Sequence, residues 1–163
     1  MRGFAVVTVS DRCFAGTQVD TAGEAVTRMV ETQWPDESVG RGLVPDDVEA
    51  IATLLHELCY QQYRLILTIG GTGLGPRDVT PEATRRVMER EVPGLSEAMR
   101  ALTAPGYRFA WLSRAVAGLS GGTLIVNLPG SQRGAAECLT AILPLLPHAL
   151  EIVSGGSTHP AAG

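Results

Sequence analysis

Four short polar clusters hold most of the residues that could do chemistry: Ser10-Asp11-Arg12, Pro45-Asp46-Asp47, the loop Gly70-Gly71-Thr72-Gly73-Leu74-Gly75-Pro76-Arg77-Asp78, and Pro129-Gly130-Ser131. Carboxylates massed in one cleft repel one another unless a cation joins them. Mg²⁺ takes one or two carboxylates together with phosphate oxygens. Glycine-rich loops and helix amino ends offer backbone N–H groups to anions. Asp11, Asp46, Asp47 and Asp78 beside such a loop therefore point to a phosphate-bearing ligand with Mg²⁺. The loop is neither of the two common nucleotide sites. No Gly-Lys-Ser/Thr closes it, and the G-x-G-x-x-G spacing with a downstream acid is missing.

Each cluster follows an apolar run that reads as a strand. Phe4–Val9 and Leu65–Ile69 are nearly continuous and β-branched, as in strands buried on both faces. Val39–Val44 is a weaker strand containing Gly40 and Gly42. Ala115–Ala117 and Leu124–Asn127 flank Ser120-Gly121-Gly122 and read as a hairpin. Helical spacing covers Thr21–Thr32. Asp46 is positioned to cap a helix with Val48, Ile51, Ala52, Leu55 and Leu58 on its apolar face. Thr80-Pro81-Glu82 reads as N-cap, first helical residue and first-turn acid of a helix running to about Glu91. Further helices are expected over Leu95–Thr103 and from the Ser131 cap to about Leu146, with breaks at Pro144 and Pro147; residues 10–20 read as a loop. Strands alternating with helices predict a single α/β domain with a mostly parallel sheet and a short hairpin. In such a sheet the strand carboxyl ends share one edge, where ligands bind.

Plainer roles exist for each residue. Asp46, Asp47 and Ser131 could only cap helices, Asp78 could staple a turn through its own backbone, and Arg114 could be an edge-strand charge. The 163 residues are 45% hydrophobic, enough to bury a core. With 13 basic and 17 acidic residues, net charge −4, and no basic block, nucleic-acid binding is not indicated. Cys13, Cys59 and Cys138 are odd in number and far apart, which argues against disulfides and a zinc knuckle. Without a signal-like start or an 18-residue apolar run, the expectation is a cytoplasmic protein without a membrane span. The domain is expected over residues 1–155, with 156–163 as a disordered tail.

Thr68 to Glu82, containing Gly-Gly-Thr-Gly-Leu-Gly-Pro-Arg-Asp-Val-Thr-Pro-Glu, resembles the signature of the molybdopterin adenylyltransferase family. That family includes the Mog and MoaB proteins and the amino-terminal domain of gephyrin. Three colinear segments add to the resemblance: Val9–Arg12 with Gly16 and Asp20, Pro93–Arg100, and Leu112–Arg114 leading to Gly118 and Asn127–Ser131. Gln132 departs from the pattern, standing where many relatives place proline. The resemblance implies a three-layer α/β/α domain, usually a homotrimer. It implies Mg²⁺-dependent adenylylation of molybdopterin by ATP, and hand-over to a molybdenum-insertion protein. It assigns Asp46 (rather than Asp47) and Asp78 as catalytic and Mg²⁺-holding, directly or through water. It places Ser10, Asp11, Gly70, Gly71, Thr72, Gly73, Arg114, Pro129, Gly130 and Ser131 on nucleotide or pterin. The alternative is a MoaB-like protein that binds pterin or nucleotide without turnover, or a trimeric scaffold.

Overall fold

The computed structural model describes residues 2–156. Its centre is a six-stranded sheet built from β1 (Arg2–Val9), β2 (Val39–Val44), β3 (Tyr63–Ile69), β4 (Arg90–Glu91), β5 (Ala117–Ser120) and β6 (Thr123–Leu128). The spatial order is β2-β1-β3-β6-β5-β4. The first four strands of that order are parallel, and β5 and β4 continue the sheet antiparallel. Side chains alternate between two cores, as period-2 geometry requires. Phe4, Val6, Leu65, Leu67, Leu124 and Val126 pack against α2 (Thr21–Gln33), α5 (Pro93–Thr103), α6 (Gln132–Ile142) and α7 (Leu146–Val153). Ala5, Val7, Ile66 and Ile125 pack against α3 (Val48–Tyr60) and α4 (Thr80–Val87) on the other face. The result is the expected three-layer α/β/α domain. Among the described residues no single helix is long and apolar enough to cross a membrane.

This winding positions the site. The chain leaves β1 and β6 toward helices on the first face, and leaves β3 between them toward α4 on the second. The three loops diverge where their strands are adjacent, which opens a crevice at the carboxyl edge.

Several local expectations are corrected. Residues 10–20 are not all loop: Asp11–Phe14 form one helical turn, α1, with the Ser10 side chain accepting the Cys13 amide. Asp47 caps α3 by accepting the Ala50 amide, so Asp46 does not. The residue flanking α4 is Val79, because the Thr80 hydroxyl is turned inward, where it donates to the Gly70 carbonyl at 2.8 Å. Helix α4 stops at Val87, since Glu89 and Val92 donate their amides to Leu119 and Ala117 and draw the chain into β4. The first hairpin strand is Ala117–Ser120 rather than Ala115–Ala117. The helix after Ser131 divides into α6 and α7, which meet at 65°; Pro144 falls at the break, where proline cannot continue the hydrogen-bond ladder. Of the expected tail, residues 157–163 lie outside those described.

One polar system crosses the second core. Fully buried Asn127 donates to the Thr68 and Thr84 hydroxyls, both at 2.9 Å, and accepts the Val116 amide at 3.2 Å. Thr84 donates to the Thr80 carbonyl, and Thr80 to Gly70. The glycine loop is thus tied to β3, β6 and α4 from beneath. Asn127→Ala removes three of these bonds and leaves a cavity. It should cost about 2–4 kcal/mol in denaturant unfolding at unchanged m-value; a loss below about 0.5 kcal/mol would show the network to be dispensable.

Candidate active site at the carboxyl edge of the sheet

The site begins with a close approach of backbones. A Cβ on Gly70 would lie 2.3 Å from the Val9 carbonyl oxygen, and one on Gly130 would lie 3.2 Å from the Gly70 Cα. Gly70 also sits at φ +103°, in the region that favours glycine. The ends of β1, β3 and β6 therefore meet almost in contact. The remaining glycines make room for side chains. A Cβ on Gly71 would collide with the Thr80 hydroxyl and lie 3.4 Å from Asp46 Oδ1. Cβ atoms on Gly73 and Gly75 would lie 2.9 and 2.8 Å from Asp78 Oδ2. The loop folds tightly around two carboxylates.

Those carboxylates are fixed by backbone amides. The Asp11 amide donates to Asp46 Oδ2 at 2.8 Å, and the Asp46 amide donates back to Asp11 Oδ1 at 3.0 Å. Arg77 clamps Asp11 by two nitrogens: Nε donates to Oδ2 at 3.0 Å, and Nη2 lies 2.7 and 2.9 Å from the two oxygens. Asp78 accepts the Gly75 amide at 2.8 Å, so the turn-staple role is real. The Arg77 hydrogen bonds hold the Asp11 carboxyl below its ordinary pKa, helped by the Asp46 amide. Burial pushes the Asp46 carboxyl above its ordinary value; the Asp11 amide opposes this, and the charges of Asp11 and Asp78 add to it.

Two depressions flank the Pro129–Ser131 ridge. One, of about 540 Å³, is lined by Ser10, Asp11, Asp46, Gly70, Gly71 and Asp78, with Gly130 and Ser131 opposite. The other, of about 560 Å³, is lined by Thr72, Gly73 and Pro129 and by apolar groups including Met99, Phe109 and Leu112. Ser131 borders both and caps α6 by accepting the Gly134 amide at 3.0 Å. Among the described residues no protein group accepts the amides of Gly71, Thr72, Gly73 and Leu74. Together with the amino end of α6 they supply donors suited to phosphate oxygens. The Gly70 and Gly75 amides are already used, by Leu128 and Asp78.

Two candidates line neither depression: Asp47, which caps α3, and Arg114. The Arg114 guanidinium braces the loop from behind, donating to the Gly73 carbonyl at 2.8 Å and the Asp78 carbonyl at 2.5 Å, and pairing with Glu82. Its role is to hold the loop's shape. Sequence reasoning missed Arg77 as the clamp on Asp11 and Thr80 as the inward tie. It also missed the wall of the apolar depression, formed by α5 and the 3₁₀ turn Arg108–Leu112. The run Tyr107, Phe109, Trp111 was the available signal.

The donor set fits Mg²⁺. Among the described residues no three His, Cys, Asp or Glu side chains converge as a ligand group, so an all-protein cage is not built. Asp46 and Asp78 share a depression and influence one another electrostatically. Two carboxylates beside an anion cradle match an ion that completes its shell with water and phosphate oxygens. No thiol is poised for chemistry there: Cys13 is buried, and burial raises the pKa of Cys59 and Cys138.

The family profile "Probable molybdopterin binding domain" matches residues 5–148. Molybdenum cofactor synthesis protein cinnamon of Drosophila melanogaster is 40% identical over 151 residues, which are 92% of this chain and 25% of that protein. The chain likewise spans 22% of Dictyostelium discoideum gephyrin, so it corresponds to about a quarter of these two relatives. Molybdopterin adenylyltransferase of Helicobacter pylori J99 is 34% identical, covering 92% of this chain and 86% of that one. The structure of MoaB from Thermus thermophilus superposes with a TM-score of 0.87 at 48% identity, over 95% of this chain and 98% of that chain. The Mog protein of Mycobacterium ulcerans gives a TM-score of 0.88 at 34% identity, over 94% and 99%. With the family profile matching most of its length and its fold in common with these proteins, the chain belongs to the molybdopterin-binding domain family of molybdenum cofactor biosynthesis.

Proposed function

We propose that the protein transfers the adenylyl group of ATP to the phosphate of molybdopterin and releases pyrophosphate. The observation that carries this reading is that Asp46 and Asp78 share a depression with Gly71, whose amide no protein group among the described residues accepts, while Thr72, Gly73 and Leu74, whose amides are likewise unclaimed, line the adjoining depression. Relatives named molybdopterin adenylyltransferase, matched over most of their length, support it. A molybdopterin phosphate oxygen attacks the α-phosphorus of ATP, and the bond to the β-phosphate's bridging oxygen breaks. The nucleophile is already ionised near neutral pH, so no general base is required. This chain's residues mainly position and neutralise charge. Loop amides and the α6 amino end hold phosphate oxygens, and Ser131 stands between the two depressions, where both substrates come together. The apolar depression has the room and the aromatic lining for a planar ring. Mg²⁺, held by Asp46 and Asp78 directly or through water, would supply charge neutralisation at the phosphates.

The proposal extends to a homotrimer and to hand-over of the adenylylated product to a molybdenum-insertion protein. In support of hand-over, the matched segment is part of a longer "molybdenum cofactor biosynthesis bifunctional protein" in Synechococcus elongatus.

Asp78→Asn separates charge from turn geometry, because asparagine still accepts the Gly75 amide. The proposal predicts at least about a hundredfold loss of pterin-dependent turnover, with the melting temperature nearly unchanged. Near-normal turnover would reduce Asp78 to the turn staple.

Asp46 gives a pH-dependent test. Its folded-state pKa is raised, so its ionisation opposes folding as pH rises from its unfolded value through its folded one. Asp46→Asn should therefore raise the melting temperature at pH 7, and the gain should vanish at pH 3, where the wild-type carboxyl is protonated. Turnover should fall at the same time. A stability gain independent of pH would assign the effect to packing instead.

A further inference from the structure

Arg77 stands one residue before Asp78 on the glycine loop, yet its side chain reaches back to Asp11, 66 positions earlier. Asp11 in turn exchanges two hydrogen bonds with Asp46, 35 positions further on. We infer that Arg77 is a positioning residue that acts through Asp11 to set the spacing of the Asp46 and Asp78 carboxylates. This deepens the adenylyl-transfer reading and rests on its assignment of those two carboxylates to Mg²⁺.

Three elements meet in this arrangement. The Asp11–Asp46 ring joins the loop after β1 to the loop after β2. Each residue's amide donates to the other's carboxylate, so neither side chain can rotate without losing a bond. Arg77 adds the loop after β3. Its planar fork takes both Asp11 oxygens, which fixes orientation as well as distance, something a point charge does not do. The backbone step from Arg77 to Asp78 then carries that constraint to the second carboxylate. Without Arg77, Asp78 would still be held by its own turn and by Arg114, but the tie to the Asp46 side would be gone.

Two plainer roles compete. Arg77 and Asp11 are 67% and 44% exposed at their side chains, so an ordinary surface pair would do nothing beyond its own contact. Alternatively Arg77 binds nucleotide phosphate by itself, without need of Asp11. The three roles differ in how Arg77 and Asp11 couple.

The experiment is a double-mutant cycle read by equilibrium metal binding. Mn²⁺ is titrated into the full chain with α,β-methylene-ATP, and free Mn²⁺ is followed by electron paramagnetic resonance. The proteins are wild type, Arg77→Ala, Asp11→Ala and the double variant, with Arg77→Lys as the conservative change. Arg77→Ala and Asp11→Ala should each weaken Mn²⁺ binding about tenfold or more, as loss of a group that orients a metal ligand does. The double variant should be no weaker than the weaker single one, because both changes break the same link. Arg77→Lys should recover only part of the loss. Melting temperatures of all variants, measured in parallel, should stay near wild type. Multiplying effects in the double variant would make Arg77 an independent phosphate ligand and overturn the inference. So would unchanged binding in Arg77→Ala, or full rescue by lysine. Wild-type binding of Mn²⁺ and nucleotide without turnover would end the adenylyl-transfer reading and leave this inference standing.

Discussion

The hydrogen bond from the Thr80 hydroxyl to the Gly70 carbonyl holds the glycine loop onto the core, and the site depends on it. Gly70 closes β3 by donating its amide hydrogen bond to the Leu128 carbonyl, and Thr80 opens α4. Joining the two makes the nine residues between them a closed loop rather than a flexible crossing. Thr84 and Asn127 continue the connection into the buried second core, where an unpaired hydroxyl or amide would carry a full desolvation cost. The network is either complete or expensive, so it specifies one loop position. Gly71 is required by the same contact, since any Cβ there would collide with the Thr80 hydroxyl.

Above that anchor the loop is held by charge. Arg114 braces it from behind through the Gly73 and Asp78 carbonyls, and Arg77 ties its far end to Asp11. Both arginines are committed to positioning. The carboxylate side of the crevice therefore keeps Asp46 and Asp78 beside open backbone amides, an arrangement short of positive charge for two acids and suited to a cation arriving with phosphates. Burial raises the Asp46 pKa, and the charges of Asp11 and Asp78 add to it.

Much of this was legible because parallel strands put successive loops on one edge. Strand-like runs ending at Val9, Val44, Ile69 and Asn127 were enough to bring Asp11, Asp46, Asp78 and Ser131 together. What was not legible depends on long-range partners. Asp46 and Asp47 are adjacent, and either could cap α3. The choice is made by the Asp11 amide, which captures Asp46 and leaves Asp47 to the helix. Thr80 has the composition of a cap, but a carbonyl ten residues earlier takes its hydroxyl. Helix α4 reads on to Glu91 because nothing local announces that β5 will claim residues 89–92. The apolar depression was missed because a 3₁₀ turn has too few residues to show a periodic pattern.

The central claim is that Asp46 and Asp78 form one cation site beside nucleotide phosphates. Crystals grown with Mn²⁺ and α,β-methylene-ATP test it directly, because the anomalous signal of Mn²⁺ locates the ion without reference to any assumed pose. The account predicts a peak within direct or one-water reach of both carboxylates, with phosphate oxygens completing the shell and facing the Gly71–Leu74 amides. An ion bound away from both carboxylates, or nucleotide phosphates at any place other than this edge of the sheet, would contradict it.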